Sequence, residues 1–442
     1  MSNNPPLDSY WMPFTASRQF RERPRMLTGA KGMHYRDVNG DDILDAVAGL
    51  WCCNAGHCRE PIVEAIREQA GNLDFAPSFQ YGHPMVFELA DVLADKVFPD
   101  GLNSVFFSNS GSEAVDSALK IALAYWRFKG QGQKTRFIGR ERGYHGVGFG
   151  GISVGGMPRN RQWYGNLLPS VDHLPHTFDP ALNPFTRGEP ENGGEKFADA
   201  LESIVALHDA SNIAAVIVEP VAGSTGVLPP PKGYLQRLRD ICTKHDILLI
   251  FDEVITAFGR LGAPCGSKRL GVTPDMITFA KGVTSGTAPM GGVAVRDEIT
   301  RTFLDSASDY SIDTFHGYTY SGHPMAAAAG LAAMKLYEDE GLFEKVNGDF
   351  QEHWHEAIHS LSKHSLVTDI RTIGMMAGVD LDPVPGHPTR RAFDAMVHAF
   401  HEEKMMIRTT GDTIAISPPL IATTDDVDEI VERMGRVIES VS

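Results

Sequence analysis

The 442-residue sequence predicts an α/β protein with a large domain built on a mainly parallel sheet and a smaller α+β domain. Three observations carry this. Between about residues 60 and 330, apolar runs of strand length alternate with segments whose apolar residues recur at helical spacing. After an alanine-rich helix at 324–340 the alternation gives way to helices mixed with short strands. The composition, 42% hydrophobic and 22% charged, is that of an ordinary soluble chain able to bury a large core. The expected division is 60–330 for the large domain, with 1–59 and 331–442 together forming the small one. A ligand is expected in the cleft between them.

At the N-terminus, MSNNPPLDSY has no apolar signal region, and no stretch of the chain approaches the roughly 20 apolar residues that span a bilayer. A cytoplasmic protein is expected. Five cysteines, an odd number, also fit a reducing compartment. Cys52, Cys53, His57 and Cys58 in WCCNAGHC look metal-like, but the spacing is unusual for zinc and no second ligand pair follows. No metal is expected. A net charge of −16 argues against a nucleic-acid partner, since phosphate contacts need clustered Lys and Arg.

The first clear strand, VFFS (105–108), runs into Ser110-Gly111-Ser112 and a helix over 112–128. Ser110 suits a helix N-cap. The same geometry aims backbone N–H groups, two hydroxyls and the positive end of the helix dipole at one point, which suits a phosphate. Next comes TRFIG (135–139), then a glycine-rich loop with a G-x-G-x-x-G match at Gly146, Gly148 and Gly151. A dinucleotide fingerprint follows a strand directly and opens a helix, whereas here GYH precedes and ISVGGMPRNR follows. The Pro- and Gly-rich 179–194 reads as a surface loop.

AAVIVEP (214–220), a helix over 234–245 and ILLIFDE (247–253) follow, the last ending in Asp252 and Glu253. Ligand groups collect at the carboxyl ends of strands in such sheets. A Walker B reading of this strand requires a G-x-x-x-x-G-K-[ST] loop, which the chain does not contain. MITFA (276–280) leads directly to Lys281, and GGVAV (291–295) closes the series. A lysine there is either an ordinary surface residue on a strand-end loop or an amine meant to react. Beyond 340, helices near 343–363, 389–404 and 425–440 are expected, with strands at MAGVDL, MMIRTT and TIAIS.

A phosphate cradle, a strand-end carboxylate and a lysine 29 residues after it are what a pyridoxal 5′-phosphate site requires. Burial that lowers the lysine pKa favours attack on the aldehyde. A carboxylate facing the ring nitrogen keeps it protonated, so that the ring draws electrons from the substrate's α-carbon.

On SNSGSEAVDSALK, GYHG, VEPVAGSTGVLPPPKGYL, LLIFDEVITAFGR, the Lys281 segment and HGYTYSGHP, the chain resembles the class III aminotransferases of the fold-type I pyridoxal-phosphate superfamily over nearly its whole length. WMPFTASRQF and LWCCNAGH most resemble the branch acting on β-alanine or ω-amino acids and pyruvate. The resemblance implies that Lys281 carries the cofactor, that Asp252 partners the pyridine nitrogen, and that Ser110, Gly111 and Ser112 form the phosphate loop. It places Tyr144 on one ring face and Val254 on the other, with His145 and Glu219 in matching cofactor motifs. Trp51, Tyr144 and Arg408 match substrate-pocket positions, Arg408 as the carboxylate receptor.

Thr319 matches a residue that reaches the neighbouring subunit's phosphate, which implies a homodimer or homotetramer with sites built from two chains. Ser224, in EPVAGS, departs from relatives acting on ornithine or acetylornithine, which carry a glutamate there that masks the arginine. The implied activity is transfer of an amino group to pyruvate. Another class III activity, on diaminopelargonate or 4-aminobutyrate, or a non-catalytic cofactor-binding homologue, is the alternative.

Overall fold

The computed structural model describes residues 7–442; the first six residues of the expected small-domain range lie outside the described residues. Near the N-terminus β1 (Leu27–Lys31), β2 (His34–Asp37) and β3 (Asp42–Asp45) form an antiparallel meander. The central sheet contains β4 (Ser104–Ser108), β5 (Arg136–Arg140), β6 (Val171–Leu174), β7 (Ile213–Val218), β8 (Leu248–Asp252), β9 (Met276–Phe279) and β10 (Gly291–Val295). Its order is β4-β10-β9-β8-β7-β5-β6. Only β10 is reversed, pairing antiparallel with β4 and β9, so the sheet is mainly parallel as expected.

β7 and β8 are buried at every position. Helices cover both faces of such a sheet, which is why IAAVIV and LLIF read as continuous apolar runs rather than alternating ones. The Gly111–Phe128 helix buries Ala114, Val115, Ala118, Leu119, Ala122 and Trp126 against Phe137, Ile217, Ile250 and Val293. That packing fixes the helix N-terminus at the carboxyl edge of the sheet, next to Asp252 at the end of β8.

A third sheet, ordered β11-β12-β15-β14, comprises β11 (Val367–Ile373), β12 (Met376–Leu381), β14 (Arg408–Thr410) and β15 (Thr413–Ile416). It packs with the helices Asp349–His359, Arg390–His401 and Thr424–Ser440. Two expectations are corrected here. MMIRTT is not one strand: β13 (Met405–Met406) pairs in parallel with β3, and after the buried Ile407 the chain enters β14 in the other sheet. The helix expected near 343–363 begins only at Asp349, just after Gly348, whose positive φ of 59° a helix cannot contain, and a 3₁₀ turn follows at Ser360–Lys363.

β13 is the bond between the ends of the chain, since it hydrogen-bonds residues 405–406 to the N-terminal meander. Among the described residues no helix is long and apolar enough to cross a membrane.

Candidate active site

A cleft at the carboxyl edge of the central sheet is lined by Gly111, Ser112, Tyr144, His145, Glu219, Asp252, Val254 and Lys281, together with Gly146, Ile255 and Ala280. Eight residues singled out from the sequence, far apart in the chain, therefore meet at one place.

One wall is the start of the Gly111–Phe128 helix. Ser110 accepts the Glu113 N–H at 3.2 Å, and the Ser112 hydroxyl accepts the Val147 N–H at 3.1 Å, so each hydroxyl proton stays free to be donated. At Gly111 a Cβ would fall 2.9 Å from a methyl of Val254, so only glycine leaves the cradle open beside that side chain. Gly146 has φ 84°, and a Cβ there would lie 2.4 Å from the Ser112 oxygen. The glycines of the G-x-G-x-x-G match serve this close approach: Gly148 packs on Asp116, and Gly151 on the His145 carbonyl.

Asp252 closes the end of β8 and is buried. Its Oδ2 accepts the Nδ1–H of His145 at 2.7 Å, and its Oδ1 accepts the Val254 N–H at 3.2 Å. His145 Nε2 is buried without a hydrogen-bond partner among the described residues. Glu219 is also buried, and burial pushes its carboxyl above the usual range. It accepts the Tyr144 N–H at 3.0 Å and the Gly223 N–H at 3.2 Å, which ties the GYHG loop to the loop after β7. Glu253 points away from the cleft and accepts the N–H groups of Gly266 and Ser267 and the Thr256 hydroxyl, so its work is to hold that loop.

Lys281 opens a 3₁₀ turn, Lys281–Thr284, with φ 51°. Burial lowers its amine below the usual lysine range; Cys52 opposes this and the Arg408 guanidinium reinforces it. Arg408, in β14, is likewise lowered by burial, and its guanidinium forms no hydrogen bond or ion pair among the described residues. Burial raises the Tyr144 hydroxyl.

Four expected residues, Ser110, Trp51, Arg408 and Thr319, are not among those that line the cleft. Trp51 is 2% exposed and packs in a small core cluster with Val47, Val221 and the cleft residue Ile255, its ring 6.0 Å from Lys281 Nζ. Thr319 sits on an exposed turn away from the cleft of its own chain. Ile255 and Ala280 have no counterpart among the residues expected from the sequence, because small and apolar residues carry no chemical signal, and Gly146 is expected only as part of a glycine-rich loop.

The donor set fits pyridoxal 5′-phosphate. The glycine cradle leaves room at a helix N-terminus for a phosphate, a buried carboxylate faces the cleft, and His145 Nε2 is left with an open hydrogen-bonding position.

Comparison with known proteins agrees. The class III aminotransferase family model matches residues 15–438. The chain is 57% identical to an omega-aminotransferase of Caulobacter vibrioides, covering 98% of each. It is 46% identical to a beta-alanine–pyruvate aminotransferase of Pseudomonas aeruginosa, covering 99% of this chain and 96% of that one. Among solved structures, an (S)-enantioselective omega-transaminase from Thermomicrobium roseum superimposes with a TM-score of 0.90 at 33% identity, over 98% and 97% of the two chains.

Proposed function

The chain belongs to the class III aminotransferases, with the fold of the type I pyridoxal-phosphate enzymes, and from that premise we propose that it moves an amino group from an ω-amino acid or primary amine to pyruvate, releasing alanine. The observation that carries this is the meeting of Lys281, Asp252 and the N-terminus of the Gly111–Phe128 helix on one cleft. When bound there, pyridoxal phosphate supplies the aldehyde that accepts the amino group and the ring that withdraws electrons from the reacting carbon.

The residues divide the work. Ser110, Gly111 and Ser112 hold the phosphate with backbone N–H and hydroxyl donors. Asp252, oriented by His145, would keep a proton on the ring nitrogen of the bound cofactor, and Tyr144 and Val254, which line the same cleft, would hold the ring. Nζ of Lys281, whose pKa burial lowers, is the group placed to take the proton from the donor carbon and to return one to the acceptor carbon in the second half of the cycle. Glu219 holds Tyr144 in place through the backbone.

Arg408 receives the carboxylate of pyruvate. Its guanidinium has no acid partner and Ser224 stands where a masking glutamate would be, which supports a pocket that takes both carboxylate-bearing and carboxylate-free substrates. Retention of both Lys281 and Asp252 argues against a non-catalytic homologue.

The assembly we propose is a homodimer or homotetramer in which Thr319 completes the partner's phosphate site. Thr319 is exposed, and Phe315, Tyr320, Phe79 and Phe87 around it are exposed as well, an apolar patch of the kind a second subunit covers. Residues 60–330 are taken as the cofactor-binding domain, and the five free cysteines support a cytoplasmic location.

A panel of donors tested with pyruvate and with 2-oxoglutarate decides the activity. Turnover of β-alanine-like donors and arylalkylamines with pyruvate is expected. Preference for 2-oxoglutarate would transfer the chain to the 4-aminobutyrate type.

A further inference from the structure

Behind Trp51 lies a buried cluster that the chemistry described above does not use. The segment Ala48–Trp51 is held in an unusual backbone conformation: φ is 48° at Ala48, 67° at Gly49 and 63° at Trp51. Left-handed geometry at two non-glycine residues costs roughly 1–2 kcal/mol each, and it persists only where the surroundings fix it. Asp45 supplies the fixing. Its buried carboxylate accepts the Val47 N–H at 3.0 Å through Oδ1 and the Gly49 N–H at 2.7 Å through Oδ2.

His57 holds Asp45 in turn. Its Nε2–H donates to Asp45 Oδ2 at 2.7 Å, and its backbone bridges to Gly32. The Tyr35 ring lies 4.1 Å from the imidazole and presses on the loop, so that a Cβ at Gly49 would come 3.0 Å from the Tyr35 hydroxyl. At the other end, Trp51 rests on Gly223, where a Cβ would fall 2.2 Å from the indole. Gly223 is the residue whose N–H is held by Glu219, next to Ser224. The indole is thus set between the loop that follows β7 and Lys281.

We propose that Asp45 and His57 are positioning residues which, through the strained 48–51 loop, fix the Trp51 ring and so set how bulky a donor side chain the cleft accepts. The inference rests on the reading of this cleft as the transamination site. His57 touches no reacting atom, and its loss should change selectivity among donors rather than the chemistry common to them.

The test compares His57→Ala and His57→Gln with wild type, using alanine and a carboxylate-free arylalkylamine as donors. In His57→Ala, KM for the arylalkylamine should change at least about fivefold, with kcat and the alanine half-reaction within about twofold; a coupling of this size is ordinary for residues in one network. His57→Gln, whose amide donates from the same place, should restore wild-type behaviour. If His57→Ala does not fold, His57→Asn takes its place. In a Trp51→Ala background the His57 change should no longer alter donor selectivity. Hydrogen exchange of the amides of Val47 and Gly49 should accelerate in His57→Ala and recover in His57→Gln. Equal losses for both donors, or the same effect with and without Trp51, would overturn the proposal. Failure of the wild-type protein to turn over either donor would instead overturn the functional reading.

Discussion

The Nδ1–H of His145 donates to Oδ2 of Asp252 at 2.7 Å, with both side chains buried. This bond and the Val254 N–H fix the carboxylate from two sides, so His145 orients the group proposed to face the cofactor. Asp252→Asn replaces a charge by an amide that cannot hold the ring proton electrostatically. The cofactor should remain bound, while donor proton removal slows by a factor on the order of a hundred or more. Stopped-flow measurement of the half-reaction checks this, and near wild-type rates would remove Asp252 from the assignment.

Lys281→Ala removes the amine proposed to attach to the cofactor but leaves the glycine cradle and helix N-terminus untouched. Borohydride treatment should no longer fix cofactor to the chain, although equilibrium binding persists. A reducible attachment in the variant would mean that a different lysine reacts.

The cradle itself is testable at Gly146. A methyl there would meet the Ser112 side chain and backbone at 2.4–2.6 Å, in a conformation, φ 84°, that alanine rarely adopts. Gly146→Ala should weaken cofactor binding by at least about tenfold, read by titration of the protein with pyridoxal phosphate, because both loops that form the phosphate wall must shift.

Much of this was legible in the sequence where the signal is local. IAAVIV and LLIFD are strands buried on both faces, so composition alone marks them, and Ser110 and Glu113 announce a helix start three residues apart. The reversed strand β10 and the division of MMIRTT between two sheets were not legible, because pairing partners lie up to hundreds of residues away and leave no local trace. Trp51 shows the same limit within the site. Its motif suggested a pocket aromatic but gave no sign of the strained loop that Asp45 holds, because only tertiary contacts determine such a turn.

A pH dependence of stability follows from the C-terminal part of the chain. His355 Nδ1 and His359 Nε2 share the Thr372 hydroxyl at 2.6 and 3.2 Å. Burial first, and then the Arg187 guanidinium, push both imidazoles from 6.5 down to about 4. Between these values the unfolded chain binds more protons than the folded one, so stability rises with pH across that window. The contribution is complete above about pH 6.5 and is lost as pH falls towards 4. His355→Gln should flatten the fall in urea midpoint between pH 7 and pH 4.5; an unchanged slope would mean that His355 does not titrate in this way.

We propose that Arg408 decides how one pocket serves unlike substrates. Alanine and pyruvate carry a carboxylate beside the reacting carbon, where a guanidinium can bind it through two parallel charge-assisted bonds. An ω-amino acid carries it farther off, and a simple amine has none, so an arginine fixed in one position would suit only one of the three. In the structure the guanidinium has no acid partner among the described residues, and the sequence carries Ser224 where the relatives acting on ornithine carry a glutamate. We propose that Arg408, free of an acid partner, turns towards pyruvate and away from an apolar donor. Arg408→Ala should cost roughly 2–5 kcal/mol of transition-state stabilisation towards pyruvate and alanine, the range for removing one member of a buried charge pair. The half-reaction with a carboxylate-free arylalkylamine should be largely spared. Stopped-flow comparison of the two half-reactions separates the possibilities: equal losses in both would make Arg408 a structural residue of β14 rather than the carboxylate receptor.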